Sequence, residues 1–100
     1  MQLLRRMDNA WRKNTAFQEW LPQAPGVYAR RCFYDDIFFD NCTLQYLLDT
    51  VGSGQVLIGS DYPFMFREQT PEAQFDALGL TTAERQAMGA DNCLRFLGLL

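Results

Sequence analysis

The chain reads CFYDDIFF over residues 32–39, DNCTLQYLLDTVG over 40–52 and QVLIGS over 55–60. The first and third segments are rich in aromatic, β-branched and other apolar residues, as is typical of strands. Between them, leucines and a valine recur at helical spacing, with Asp40 or Asn41 as the expected N-cap and Gly52 as the expected C-cap. This order predicts a βαβ unit with parallel strands at about 32–39 and 55–60.

The βαβ unit restricts the possible architectures. Its crossover is expected to be right-handed, and a near-continuous apolar strand such as 55–59 belongs in a parallel sheet that is covered on both faces. The chain offers two convincing strands. Two interpretations therefore stay open: a small α/β domain that oligomerises, or a piece of a larger α/β protein. In both, the sheet edges would be open to further strands.

Helices are predicted on both sides of this unit. An apolar stripe predicts a helix over residues 3–20, and the Pro- and Gly-containing residues 21–29 predict a connector. Thr70-Pro71-Glu72 is a helix start, Thr81 to Glu84 is a capping box, and a last helix is predicted at about 91–97, ending at Gly98. The two tryptophans and the phenylalanines are expected in the core.

Composition excludes several classes of protein. Of 100 residues, 48% are hydrophobic, which excludes a mainly disordered state. Without histidine, neither a Ser-His-Asp nor a Cys-His nucleophile can be built from this chain alone. No apolar run suits a bilayer, and the first residues do not predict a secretory signal. Three cysteines without CxxC spacing predict reduced, buried thiols in a cytoplasmic protein.

The net charge of −3 is unevenly distributed. Residues 1–31 carry six basic and two acidic side chains, whereas residues 32–100 carry three basic and ten acidic ones. A basic segment can bind nucleic acid, or it can be a solvated helix face. The chain has no dense basic run and no aromatic RNA-binding motif. The solvated face is therefore favoured, and no nucleic-acid partner is expected.

Asp61 is the strongest candidate functional residue. If strand alternation continues, Leu57, Gly59 and Asp61 share a face, and Asp61 lies at the carboxyl end of a parallel strand, where α/β proteins bind ligands. Gly59 would leave room beside it. A carboxylate there can hold a metal or act as a general base, or it can simply cap the following turn.

Two groups near Asp61 have open interpretations. Phe64, Met65 and Phe66 follow it directly and are either a pocket wall or core packing. Asp35 and Asp36 are adjacent on the first predicted strand, so they are expected to point to opposite faces and not to form an acid/base pair. Asp35 is expected to be a hydrogen-bonded structural residue.

Several motifs, in order, resemble one enzyme family. Residues 59–63, GSDYP, resemble the G-[ST]-D-[YF]-P signature of the amidohydrolase-related (amidohydrolase 2) family of metal-dependent enzymes. Residues 33–41 resemble its Y-D…[HF]-D-P segment, residues 92–99 its terminal N-A-x-R-x-x-G-L, and residues 6–11 are similar to its G-R-L-D-x-x-W. The resemblance covers nearly the whole chain. Within the family, the chain is similar to the aminocarboxymuconate semialdehyde decarboxylases.

This resemblance implies an α/β fold, the C-terminal part of a TIM-type (β/α)8 barrel with about two βα units, an N-terminal helix and C-terminal helices. Such barrels need about 250 residues, so residues 1–100 would form a single incomplete domain. The implied protein is a metal-dependent hydrolase or non-oxidative decarboxylase of a small unsaturated or aromatic acid, inactive as an isolated chain. The alternative is a non-catalytic, self-associating remnant that acts as a binding or interaction module.

The resemblance also implies roles for individual residues. Asp61 matches the family's catalytic aspartate and would be the one metal ligand present; the family's histidine ligands have no counterpart here. A divalent metal, with zinc expected, is implied for the complete enzyme and none for the isolated chain, because zinc takes about three or four protein ligands. Phe39, where the decarboxylases have histidine, joins Tyr62 and Phe64 as a substrate-pocket candidate.

The implied partners follow from the same resemblance. The complete enzyme would take a small-molecule carboxylic acid, or an amide or ester. Neither nucleic acid nor membrane is expected as a partner. The chain itself would pair with further copies as a homo-oligomer, or with the missing barrel half.

Overall fold

The computed structural model describes residues 3–64, 70 and 72–100. The chain divides into two units, Met1–Cys32 and Phe33–Leu100. The first unit is helical and the second contains the βαβ segment. The prediction that residues 1–100 form a single incomplete domain stays a prediction.

The first unit contains α1 (Leu4–Lys13), α2 (Thr15–Trp20) and α3 (Pro25–Ala29). The helix predicted over residues 3–20 is thus interrupted at Asn14, whose backbone is extended (φ −133°, ψ 107°) and whose side chain accepts a hydrogen bond from the Ala16 N–H at 3.0 Å. Asn side chains compete with helical backbone in this way and favour caps. The prediction of one continuous helix was therefore wrong at this residue.

The predicted connector, residues 21–29, contains α3. Pro25 begins this helix, as its fixed φ and missing N–H allow. The Asp8 carboxylate accepts a hydrogen bond from the Gly26 N–H at 2.7 Å, and a Cβ on Gly26 would lie 2.8 Å from Asp8 Oδ2. Trp11 Nε1 donates to the Leu21 carbonyl at 2.7 Å. Asp8 and Trp11, both in the 6–11 motif, therefore fasten α1 to the residues that follow α2.

The second unit confirms the parallel βαβ arrangement. Strand β1 (Tyr34–Asp35) pairs with β2 (Val56–Leu57), with Tyr34 opposite Val56 and Asp35 opposite Leu57. Both strands are shorter than predicted. After β1, the Ile37 N–H donates to the Asp35 carboxylate and the Phe38 N–H to the Asp36 carbonyl, at 3.1 and 2.9 Å. These local bonds close turns at residues 35–38, where a longer ladder would need extended backbone.

Helix α4 (Asn41–Val51) crosses between the strands. Asp40 is its N-cap, as expected, and accepts hydrogen bonds from the Cys42 and Thr43 N–H groups. Gly52 ends it with φ +89°, a conformation that glycine adopts without steric cost. A short 3₁₀ turn, Ser53–Gln55, then leads into β2.

The core of the second unit is aliphatic. Its buried hydrophobic residues are Leu44, Leu47, Val51, Val56, Phe75 and Met88. The expectation of an aromatic core was wrong in most places. Among the described phenylalanines Phe75 is the buried one, and Trp20 is 89% exposed. The prediction of buried thiols was also wrong, because all three cysteines are exposed. Small units bury a smaller share of their surface, and large aromatic side chains need more cover than these helices supply.

The C-terminal helices follow the predicted start signals. Helix α5 (Glu72–Ala77) begins at Glu72; Pro71 lies outside the described residues. Thr81 and Glu84 form the predicted capping box of α6 (Thr82–Gln86). A π-helical turn (Ala87–Asp91) joins α6 directly to α7 (Asn92–Phe96), so the two predicted helices are one continuous helical segment.

This helical segment ends as predicted at Gly98. Gly98 has φ +71°, its N–H donates to the Arg95 carbonyl and the Leu99 N–H to the Leu94 carbonyl, which is a Schellman motif. None of the helices in residues 3–64 and 72–100 is long and apolar enough to cross a bilayer.

Candidate active site

Asp61 lies in a tight turn beyond the end of β2. Strand β2 ends at Leu57, so the strand alternation predicted to extend from Leu57 to Asp61 does not continue that far. The Tyr62 N–H donates to Ser60 Oγ at 3.3 Å, and the Phe64 N–H donates to the Asp61 carbonyl at 3.0 Å. The Asp61 side chain is exposed at this turn.

The backbone at Asp61 has an uncommon conformation. Its φ is +61°, in the left-handed region that non-glycine residues rarely adopt, although aspartate tolerates it better than most. Phe39 is the other described non-glycine residue with positive φ, at +52°. Strained backbone of this kind clusters at functional sites. Both residues follow the carboxyl end of a strand in the same parallel pair.

Gly59 is in close contact with Ile37. A Cβ on Gly59 would lie 2.8 Å from Ile37 Cδ1 and 2.9 Å from Ile37 Cγ1. The expected room beside Asp61 is therefore filled, and that expectation was wrong. Glycine is needed here because the segment after β1 approaches the segment after β2 so closely.

Asp36 is a residue whose importance the sequence did not reveal. It is 2% exposed, and its Oδ1 accepts a hydrogen bond from the Gly59 N–H at 2.7 Å. Asp35 is exposed, which agrees with the expectation that the two carboxylates point to opposite faces, and it bonds the Ile37 N–H as a structural residue. The one available signal was alternation in the predicted strand 32–39, which places Asp36 on the same face as the aromatic residues Tyr34 and Phe38.

The aromatic pocket candidates are exposed at this end of the strands. Phe39 is 58% exposed, Tyr62 76% and Phe64 65%. Tyr62 and Phe64 belong to the Asp61 turn, and Phe39 follows the neighbouring strand. Carboxyl ends of parallel strands lie at one edge of a sheet, so all four candidate residues are brought to the same edge. Met65 and Phe66 lie outside the described residues.

The Asp40 side chain caps the N-terminus of α4. A hydrogen bond from the Thr43 hydroxyl, supported by those from the Thr43 and Cys42 N–H groups, lowers the pKa of Asp40 against a small opposing effect of burial. An ionised carboxylate at the start of α4 also interacts favourably with the helix dipole. Its role is therefore that of a cap.

Within the described part of the chain, no three or more carboxylates and thiols converge as a metal site. Asp61 alone supplies one ligand, whereas zinc takes about three or four from protein. The described residues therefore do not fit a metal by themselves.

Comparison with known proteins identifies relatives of this segment. No family model matches the chain. It is 32% identical over 81 residues to 2-amino-3-carboxymuconate-6-semialdehyde decarboxylase from Dictyostelium discoideum, a match that covers 78% of this chain and 22% of that protein. Among solved structures, 5-carboxyvanillate decarboxylase LigW from Sphingomonas paucimobilis matches with a TM-score of 0.73 and 21% identity, covering 98% of this chain and 30% of that one.

These matches bear on the fold and the family. The chain spans less than a third of either protein. The sequence match is to a carboxymuconate semialdehyde decarboxylase, the kind of enzyme that the motifs resemble, so the resemblance is confirmed over that part of its length. The structural match, at 21% identity, bears on the fold. The mixed helix and strand structure agrees with part of a barrel.

Proposed function

We propose that this chain, which matches amidohydrolase 2 decarboxylases over part of their length, is the C-terminal portion of a metal-dependent decarboxylase. Its substrate would be a small unsaturated or aromatic carboxylic acid. The observation that carries the proposal is the Asp61 turn: it combines the GSDYP motif, a positive φ and a position beyond the carboxyl end of a parallel strand. Decarboxylation is favoured over hydrolysis because both matched proteins are decarboxylases.

In this proposal Asp61 transfers a proton to the substrate. Loss of carbon dioxide leaves an electron pair on the substrate carbon, and that carbon must then gain a proton. The Asp61 carboxylate is exposed, so it can take a proton from the solvent and pass it to that carbon as carbon dioxide leaves. Asp61 is also proposed as one ligand of a divalent metal, with zinc expected, whose other ligands come from outside residues 1–100. The isolated chain is then inactive.

The aromatic residues suit the proposed substrate. Tyr62 and Phe64 offer exposed ring surfaces within the Asp61 turn, and Phe39 offers one after the neighbouring strand. Planar unsaturated acids bury their faces well against such rings. The remaining strands of a barrel would close the pocket over them. Residues 1–100 are accordingly proposed to be a single incomplete domain.

A chimera tests this proposal. The 81-residue matched segment of the Dictyostelium decarboxylase is replaced by the matching segment of this chain, and decarboxylation is followed by loss of substrate absorbance. We expect measurable activity, and a loss of about 100-fold or more in kcat on Asp61→Asn, because general acid–base groups contribute about 10²–10⁴-fold. The matched control is Asp35→Asn, which alters an exposed carboxylate outside the turn.

Circular dichroism establishes first that the chimera and both variants are folded. A folded chimera in which Asp61→Asn retains parental kcat would overturn the role of Asp61. A folded chimera without any activity would overturn the assignment of this segment to a decarboxylase.

A second candidate function is self-association without catalysis. The first unit has an open apolar cavity of about 480 Å³, lined by residues that include Met7, Trp11, Phe17 and Trp20. Exposed apolar surface of this kind marks interaction sites. In this alternative the occupant is a second copy of the chain, and the Asp61 turn has no chemical role.

A further inference from the structure

The two edges of β2 are held by different parts of the chain. The Gly59 N–H points to the segment that follows β1, because it donates to Asp36. The Val56 carbonyl and the Ile58 N–H, by contrast, find their partners in the C-terminal helical segment and not in β1, so they lie at the opposite edge. In a larger sheet a further strand would lie along that opposite edge.

The C-terminal helical segment occupies the opposite edge. Asn92 Nδ2 donates to the Val56 carbonyl at 2.6 Å, and the Ile58 N–H donates to the Met88 carbonyl at 3.0 Å. The π-helical turn makes the second bond possible. Because the Asn92 N–H donates to the Ala87 carbonyl, five residues back, the Met88 carbonyl is available to β2.

The same helix holds the residues that lead into β2. Asn92 Nδ2 also donates to the Ser53 carbonyl at 2.8 Å, and Arg95 donates to the Gly54 carbonyl. Arg95 Nη2 donates to Asn92 Oδ1 at 3.2 Å, which orients the amide so that its Nδ2 faces the carbonyls. The Arg95 guanidinium also lies 5.3 Å from the Phe33 ring centroid, beside the start of β1.

We infer that Asn92 and Arg95 are positioning residues for Asp61, acting through β2. Asn92 is 1% exposed, so its hydrogen bonds are made without competition from water. The ladder between β1 and β2 is two residues long, which leaves β2 dependent on these side-chain contacts. The C-terminal helical segment binds the backbone of residues 53–58 along one edge, and Asp36 binds Gly59 on the other. The Asp61 turn therefore follows a backbone that is held on both sides. The inference rests on the proposed function only in giving Asp61 its chemical role.

Amide hydrogen exchange in the 100-residue chain, resolved by NMR, tests the positioning. The variant is Arg95→Met, which keeps the apolar stem and removes the donors. We expect exchange at Ile58, Gly59 and Phe64 to become about tenfold faster while α4 amides keep their rates, because the opening is local. Arg95→Lys, which restores a donor and a charge, should recover part of the protection.

The matched control is Arg85→Met, on the same helical segment, where the arginine pairs with Asp76 at 2.6 Å and not with β2. Arg85→Met should leave the exchange rates of the Ile58, Gly59 and Phe64 amides unchanged. Equal acceleration in α4 and β2, or unchanged exchange at Gly59 and Phe64, would overturn the inference. If Arg95→Met does not fold, Arg95→Lys answers the same question: relative to the parent chain, it must accelerate exchange at the same amides and leave the α4 amides unchanged. The exchange measurements require no metal, substrate or turnover. A failure of the positioning inference is therefore distinguishable from a failure of the proposed function, which the chimera tests.

Discussion

At Gly59 the absence of a side chain decides how closely the two strand ends approach. The Ile37 side chain fills the position that a Cβ would take, and Asp36 binds the Gly59 N–H from the same side. Both contacts lie between the end of β2 and Asp61. The packing of this one residue therefore determines where the candidate catalytic turn begins.

Gly59→Ala is expected to lower the free energy of unfolding by about 1–3 kcal/mol, the usual cost of overpacking. The measurement is urea denaturation followed by circular dichroism. Ile37→Ala removes both contacting atoms, so the double variant should be more stable than the sum of the two single changes predicts. Gly89→Ala is the control, since a Cβ there would meet nothing within 4 Å. An equal loss in Gly89→Ala would contradict the steric explanation.

At the scale of the elements, capping hydrogen bonds define where α4 and α6 begin. The Thr81 hydroxyl and, secondarily, its N–H donate to Glu84 and lower the pKa of Glu84, against a small opposing effect of burial. Asp40 is held in the same way by Thr43. A carboxyl group with a lowered pKa in the folded state stabilises the fold fully above its ordinary pKa. That contribution is lost as the pH falls through the lowered pKa.

Thr81→Val should lower the Tm at neutral pH, because it removes the hydroxyl that accepts from the Glu84 N–H and donates to the Glu84 carboxylate, and leaves only the bond from the Thr81 backbone N–H. The difference in Tm between variant and parent should become smaller as the pH falls through the carboxyl range, since protonation of Glu84 weakens its hydrogen bonds from Thr81 in the parent. Thermal unfolding at a series of acidic pH values measures this. Thr82→Val makes the same chemical change one residue along and should not show the narrowing. A Tm difference independent of pH would contradict the assigned interaction.

For the whole molecule, the notable feature is how much apolar surface remains exposed. Leu99 is 70% exposed and Leu100 75%, in addition to Trp20 and the aromatic residues of the Asp61 turn. Exposed apolar residues mark a surface covered by a partner where they form a contiguous patch. Two covers are consistent with the proposals above: the rest of a barrel or a second copy.

The oligomeric state of the 100-residue chain distinguishes a second copy from the rest of a barrel as the partner that covers this surface. If the apolar cavity of the first unit binds a second copy, light scattering should give a mass that rises above 11.6 kDa with concentration. Trp20→Ser should then return the chain toward the monomer, because it removes the most exposed large residue of the cavity. Leu99→Ser, an exposed residue outside the cavity, is the control. A monomer at all concentrations, or an equal effect of both changes, would count against self-association through this surface.

Local signals in the sequence determined the elements and the candidate residue. The Thr81–Glu84 box, the Asp40 cap and Gly52 each act within about four residues, so their interactions can be identified from spacing. The parallel strand pair followed from the change between strand and helix periodicity. Asp61 followed from its motif and from its position after the second strand.

Only the tertiary structure decided which residues hold that turn in place. Asp36 and Gly59 are 23 residues apart, and Asn92 and Ser53 are 39 apart, so no local pattern relates them. The strands end where the Asp35 and Asp36 side chains accept hydrogen bonds from backbone N–H groups. The exposure of Trp20 depends on which surfaces the surrounding helices cover. Burial and long-range hydrogen bonding arise from the packing of distant segments, which is why spacing along the chain could not supply them.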